Sequence, residues 1–404
     1  MHRIPLPPGF LWGAATSAHQ TEGANENSDW WALENMPGSF CEEPSGPAVD
    51  SFHRWGEDMD LAADVGLRDY RFSIEWARIE PEPGVFSGEA LEHYRHMIEG
   101  ALHRGLRPLV TLHHFTCPAW FTGGWADPAA PDLFARYVAQ VAGILEDVEH
   151  VGTINEPNVV AAFPRLLAQG PDGLAKGLPE PVEAIAQGLV SAHRQARHVL
   201  RAALPEVRVG WSISVQDYQP DLPAVAAAAA YLYPRQTRFL LESRDDDWVG
   251  VQAYTRIRLV LDGDVVRPAA PGSSAQRTQT GWEYYPAALG GAVREAARVV
   301  GAVPVIVTEN GVATGDDDQR IAYTHGALIA LAAALDDGID VRGYFHWSLL
   351  DNYEWGSWGP TFGLVSVDRG TFVRSPKPSL AWLGKVGTSG LIPSLEPIGR
   401  ANDE

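Results

Sequence analysis

The chain has 404 residues, 45% of them apolar, which is enough to bury a large core in one barrel-sized domain. Its 31 basic residues against 51 acidic ones leave a net charge of −20, which disfavours nucleic acid and anionic membranes as partners and favours a neutral ligand over a phosphorylated one. Cys41 and Cys117 are too few for a disulfide framework, the N-terminus lacks the apolar stretch of a signal peptide, and no uninterrupted apolar run could span a bilayer, so the expected compartment is the cytoplasm.

In chain order, β-branched and aromatic runs predict strands at residues 10–17, 70–76, 108–115, 150–155, 207–214, 248–254, 303–309 and 341–349. Between them lie helix-like segments such as 52–65, 91–104 and 321–335. Eight strand and helix pairs predict a closed (β/α)8 TIM barrel, read as a single α/β domain over 1–404 with a C-terminal tail from about 387. An open doubly wound sheet is the alternative, but no strand is followed by the Gly-x-Gly-x-x-Gly opening that such a sheet uses for dinucleotides. Pro- and Gly-rich stretches at 37–47, 170–181 and 268–272 read as surface loops, and Asp316 to Asp318 as a solvated loop before a helix.

Two glutamates end strand-like runs, Glu156 in Thr153-Ile154-Asn155-Glu156-Pro157 and Glu309 in Val307-Thr308-Glu309-Asn310-Gly311. In a parallel barrel the active site forms at the carboxyl ends of the strands, so residues this far apart in sequence can converge there as a catalytic carboxylate pair. Other strand ends carry polar donors and rings: Gln20, Arg71, His114, Glu354 and Trp355. A sugar needs that mixture, because its hydroxyls take directed hydrogen bonds and its C–H faces stack on aromatic rings. His113 and His114 are adjacent rather than spaced for a metal, and no Cys pair has ligand spacing, so neither metal nor cofactor is expected.

At this point the chain resembles family 1 glycoside hydrolases, the retaining β-glucosidases and β-galactosidases. The resemblance is carried nearly end to end by Phe10-Leu11-Trp12-Gly13-Ala14-Ala15-Thr16-Ser17, Tyr70-Arg71-Phe72-Ser73-Ile74-Glu75-Trp76-Ala77-Arg78-Ile79, the two Glu motifs, His346-Trp347-Ser348-Leu349-Leu350-Asp351-Asn352-Tyr353-Glu354-Trp355, and Phe362-Gly363-Leu364-Val365-Ser366-Val367-Asp368. It implies Glu309 as nucleophile and Glu156 as general acid and base, with Arg71 supporting Glu309 and Tyr254 orienting it. By the same resemblance Asn155 holds the sugar 2-hydroxyl, Gln20, His114, Trp347, Glu354 and Trp355 form the innermost sugar subsite, and Phe362 is a wall. Arg78 reads as structural, and His19 and His113 as facing the other side of their strands.

The implied activity is hydrolysis of small unphosphorylated β-glycosides, with transglycosylation or non-catalytic sugar binding as alternatives on the same scaffold. Glu354 resembles the residue that meets O4 and O6, where a carboxylate would repel a phosphate, and the loop 356–361 offers no Lys or Arg to compensate. Departures from the family pattern are Gln252 for an Asn, Ala253 for an aromatic residue, Phe115 for a Trp and Thr361 for an Arg. The stretch 215–248 reads as a short, compact loop, and Cys117 as a small buried hydrophobe.

Overall fold

The computed structural model describes residues 4–169 and 177–392, so the predicted loop 170–181 falls largely outside the described residues. Eight parallel strands close a barrel. They are β1 (Leu11–Ala15), β2 (Asp69–Ser73), β3 (Arg107–Thr111), β4 (His150–Asn155), β5 (Arg208–Ser214), β6 (Trp248–Gln252), β7 (Val305–Asn310) and β8 (Val341–Trp347). Each pairs with its sequence neighbours, and β8 pairs with β1 to complete the ring. All eight predicted strands are present.

Helices cover the outer face of this ring, which explains why the strands read as nearly continuous apolar runs: every residue of β7 is buried, for example. The predicted helices are found at Ser51–Asp64, Gly88–His103 and Asp317–Asp336. Inside the ring Leu11, Leu109, Trp248, Ile306 and Phe345 form a separate apolar cluster. Trp248 fills space that glycines leave open, since a Cβ on Gly210 would stand 2.7 Å from its ring. Truncating this buried indole to alanine would cost about 3–5 kcal/mol.

Several boundaries and loops differ from the sequence expectation. The strands stop two or more residues early at β1, β2 and β3, because the chain turns straight into helix or loop: Ala18–Thr21 is a one-turn helix after β1, and Trp76–Ile79 another after β2. His19 and His113 are therefore not on strands, and alternation does not set their direction. Asp316 is no free loop residue but the N-cap of the helix Asp317–Asp336, its side chain accepting from the backbone N–H of Asp318 and Gln319. The stretch 215–248 is not a compact loop either; it contains the strand Asp217–Pro220 and the helices Val225–Leu232 and Arg238–Glu242. The expected tail begins within the helix Pro378–Ser389, which leads to the strand Leu391–Ile392 paired with Ile4–Pro5, and its residues after 392 lie outside the described ones. No helix among the described residues is long and apolar enough to cross a membrane.

Candidate active site

Arg71, in the middle of β2 and fully buried, reaches the ends of β4 and β7. Its Nη1 donates to Glu309 Oε1 at 2.5 Å, and its Nη2 donates to Asn155 Oδ1 at 2.5 Å. The other oxygen of Glu309, Oε2, accepts from the Tyr254 hydroxyl at 2.5 Å. Tyr254 stays protonated, because burial and then the Glu309 charge push its pKa well up, so it is a donor throughout the working range. It is itself placed by Tyr323, which donates to its carbonyl at 2.5 Å, and by Asn310, whose Nδ2 donates to the Ala253 carbonyl at 2.7 Å.

Glu156 lies one residue beyond β4 with a left-handed φ of 45°, a conformation that costs a non-glycine residue about 1–3 kcal/mol and tends to collect at functional sites. Phe115 and Trp355, at the same rim, also have positive φ, 70° and 49°. Gly311 answers a different need. A Cβ there would meet the Trp347 carbonyl oxygen at 2.0 Å, so only glycine lets the ends of β7 and β8 approach this closely.

The two carboxyls have different proton affinities. Burial first, and then the Glu309 charge, push Glu156 up to about 8. Burial also raises Glu309, but there the Arg71 guanidinium and the Tyr254 hydroxyl act against it. Of the pair, the proton belongs on Glu156.

The remaining predicted residues surround this pair. His114 is held neutral by burial and by the Arg71 charge; its ring lies near-parallel to Trp347 at 5.8 Å and to Trp355 at 6.0 Å. Trp347 Nε1 donates to Glu354 Oε1 at 3.2 Å. Gln20, on the helical turn after β1, accepts from Ser17 Oγ at 2.7 Å and donates to the Tyr353 carbonyl at 2.9 Å, tying β1 to the Glu354 loop. Phe362 packs edge-on against Tyr254 at 5.8 Å. Burial pushes Glu354 up to about 8, against the hydrogen bond from Trp347, so near neutral pH its protonated form is favoured, unlike the fixed carboxylate expected from the sequence.

The sequence model of Glycosyl hydrolase family 1 matches residues 2–242 and 245–390. The chain belongs to this family. It is a glycoside hydrolase by that membership, and its relatives agree. A beta-glucosidase from Agrobacterium sp. is 32% identical over 433 residues, covering 93% of this chain and 94% of the relative. The crystal structure of beta-glycosidase BGL167 is 43% identical with a TM-score of 0.87, covering 97% of this chain and 99% of that one. A beta-glucosidase from Thermotoga maritima in complex with glucoimidazole is 26% identical with a TM-score of 0.86, covering 96% and 99%.

Positions that depart from the family pattern now have contacts. Gln252, at the end of β6, donates from Nε2 to Asn155 Oδ1 at 2.8 Å. With Arg71 on the same oxygen, the Asn155 amide has one orientation left, Nδ2 turned toward His114 Nε2 at 3.4 Å. Phe115 packs edge-on against Trp355 at 4.8 Å. Cys117 is buried 3.4 Å from His113 Nε2, with its pKa pushed well up by burial, which makes it a thiol and not a nucleophile. His113 packs on Trp125 and Phe134, away from the site, whereas His19 lies parallel to Trp355 at 5.7 Å, directly behind it. Arg78 is structural as expected, paired with Glu22 at 2.8 Å. Sequence reasoning missed Tyr323, which sits inside a helix with no distinguishing neighbour, and Asn310, whose place in the Glu309 motif was a signal left unused. Among the described residues no group of three His, Cys, Asp or Glu side chains is arranged to hold a metal ion.

Proposed function

We propose that the chain is a retaining, exo-acting β-glucosidase working as a single catalytic domain on unphosphorylated β-glycosides. The observation that carries this reading is the asymmetry of the pair: Glu309 has a guanidinium on one oxygen and a phenol on the other, working against the rise that burial causes, whereas burial and the Glu309 charge push Glu156 up to about 8. Glu309 attacks the anomeric carbon while the bond to the leaving oxygen breaks and Glu156 delivers its proton to that oxygen. Water then adds to the glycosyl–Glu309 ester; Glu156 takes its proton, the ester bond breaks, and the sugar leaves with its β configuration kept. Asn155 Nδ2 serves the sugar 2-hydroxyl, and Trp347, Glu354, Gln20, His114 and Trp355 hold the rest of the ring, with Phe362 as a wall. The names of the relatives support glucose as the sugar.

A neutral Glu354 can donate to O4 or O6 as well as accept, which suits free hydroxyls. It does not by itself repel a phosphate, so discrimination falls to the absence of a cation in the loop 356–361. The test is a comparison of 4-nitrophenyl β-glucoside with its 6-phosphate. The expected result is a far higher kcat/KM for the free sugar, and comparable values would contradict the assignment of substrate class.

A further inference from the structure

Trp355 follows Glu354 with a left-handed φ of 49°, and its half-buried indole is set among four other rings. Phe115 and Trp30 meet it edge-on, each at 4.8 Å. His114 and His19 lie near-parallel to it, with interplanar angles of 10° and 8°. Trp347, at the end of β8, is in turn 15° from His114, so successive rings from β8 to the turn after β1 stay close to parallel.

His19 is held at both ring nitrogens. Its Nδ1 accepts from Asn25 Nδ2 at 3.1 Å, which leaves the ring proton on Nε2, and Nε2 faces Glu34 Oε2 at 3.5 Å. Glu34 remains a carboxylate: burial raises its pKa, but hydrogen bonds from His19 and from Ser45, the latter at 2.5 Å, hold it below the usual range. Contacts at both nitrogens stop the imidazole from turning about its Cβ–Cγ bond. Glu34 and Trp30 stand four apart on the helix Asp29–Glu34 and are its buried residues, so one helix face supplies both the carboxylate beside His19 and a ring beside Trp355. Burying a carboxylate with an imidazole is a weak source of stability, because both lose their water. Such a pair is a poor filler but a good fixed plane.

We propose that His19 and Glu34 are positioning residues of the sugar site, Glu34 fixing the plane of the His19 ring and His19 fixing that of Trp355. The inference rests on the proposed reading of Trp355 as a sugar contact and adds the residues that place it. Gln20, next in the chain to His19, holds the same loop by its backbone, donating to the Tyr353 carbonyl and accepting from the Tyr353 N–H at 3.2 Å. The turn after β1 thus sets the loop with one residue and the indole with the other.

The test uses the full chain and methyl β-glucoside, whose poor leaving group makes the first step limiting, so that KM reports binding of the sugar. His19→Leu should raise KM about fivefold, the size of one aromatic pair contact. Loss of folded protein alone would lower the apparent kcat and leave KM where it was. Glu34→Leu should raise KM about threefold, whereas Glu34→Gln, which keeps an acceptor for His19 Nε2, should stay within about twofold of the unaltered protein. Trp355→Ala should raise KM further than either, and His19→Leu added to it should raise it no more, because the ring through which His19 acts is gone. An unchanged KM in His19→Leu or in Glu34→Leu, or independent effects that multiply in the double variant, would overturn the proposal and leave Trp355 as a sugar contact. An unchanged KM in Trp355→Ala would overturn both.

Discussion

The ends of β4 and β7 present the same residue type to the same space and treat it in opposite ways. At β7, Glu309 is clamped by a guanidinium on one oxygen and a phenol on the other. Just beyond β4, Glu156 is lifted to about 8 by burial and by the charge opposite, and its backbone has a left-handed φ of 45°. The proposed mechanism rests on such a difference in surroundings: in it the clamped group loses its proton first and attacks, and the other keeps a proton to give away.

Removing either side chain breaks the comparison most severely. Glu309→Ala should lower kcat by about 10⁵-fold or more on every β-glucoside, since no other group can form the covalent bond. Glu156→Ala should lower kcat/KM by about 10²–10⁴-fold for a methyl glucoside and by less than about tenfold for a 2,4-dinitrophenyl glucoside, which needs no protonation to leave. Equal losses on both substrates in Glu156→Ala would remove the acid role from this residue.

The pH profile sharpens the same comparison. A carboxyl with a raised pKa is in its acid form below that value and loses it above, so kcat/KM should fall as pH rises through about 8. Glu354 is pushed to a similar value, so the profile alone does not identify the group. The limb should be marked on a methyl glucoside and shrink on 2,4-dinitrophenyl glucoside, which needs no proton from Glu156, and a limb of equal size on both substrates would transfer it to Glu354.

A smaller effect tests how the β4 side reaches the sugar. Gln252→Leu removes one of the two donors that fix the Asn155 amide, and kcat/KM for an aryl β-glucoside should fall about fivefold, the value of one neutral hydrogen bond. The loss should shrink toward nothing on the 2-deoxyglucoside, which has no hydroxyl for Asn155 to meet. An equal loss on both sugars would make Gln252 a packing residue only.

Much of this was legible in the chain. Val305 to Thr308 and Val151 to Ile154 are β-branched runs buried on both faces, so strand type and position could be read directly, and Glu156 and Glu309 followed from their ends. Boundaries were less legible, because the tight turns at Ala18–Thr21 and Trp76–Ile79 are set by packing against the rim rather than by local propensity. The same holds for 215–248, where an alanine-rich segment reads as filler but forms a helix beside the outer sheet. The contact of Gln252 with Asn155 joins residues 97 apart and depends on barrel register alone. The protonation of Glu354 comes from burial, which a one-dimensional pattern does not record.

The central claim, that Glu309 and not Glu156 forms the bond to the sugar, is open to direct observation. A 2-deoxy-2-fluoro-β-glucoside with an activated leaving group should glycosylate the protein, releasing its aglycone once, and then stop, because the fluorine destabilises the transition states of both steps and the leaving group rescues only the first. Peptide mass spectrometry of the trapped protein should find the fluorosugar on Glu309. A label on Glu156, or inhibition without any covalent adduct, would contradict the account.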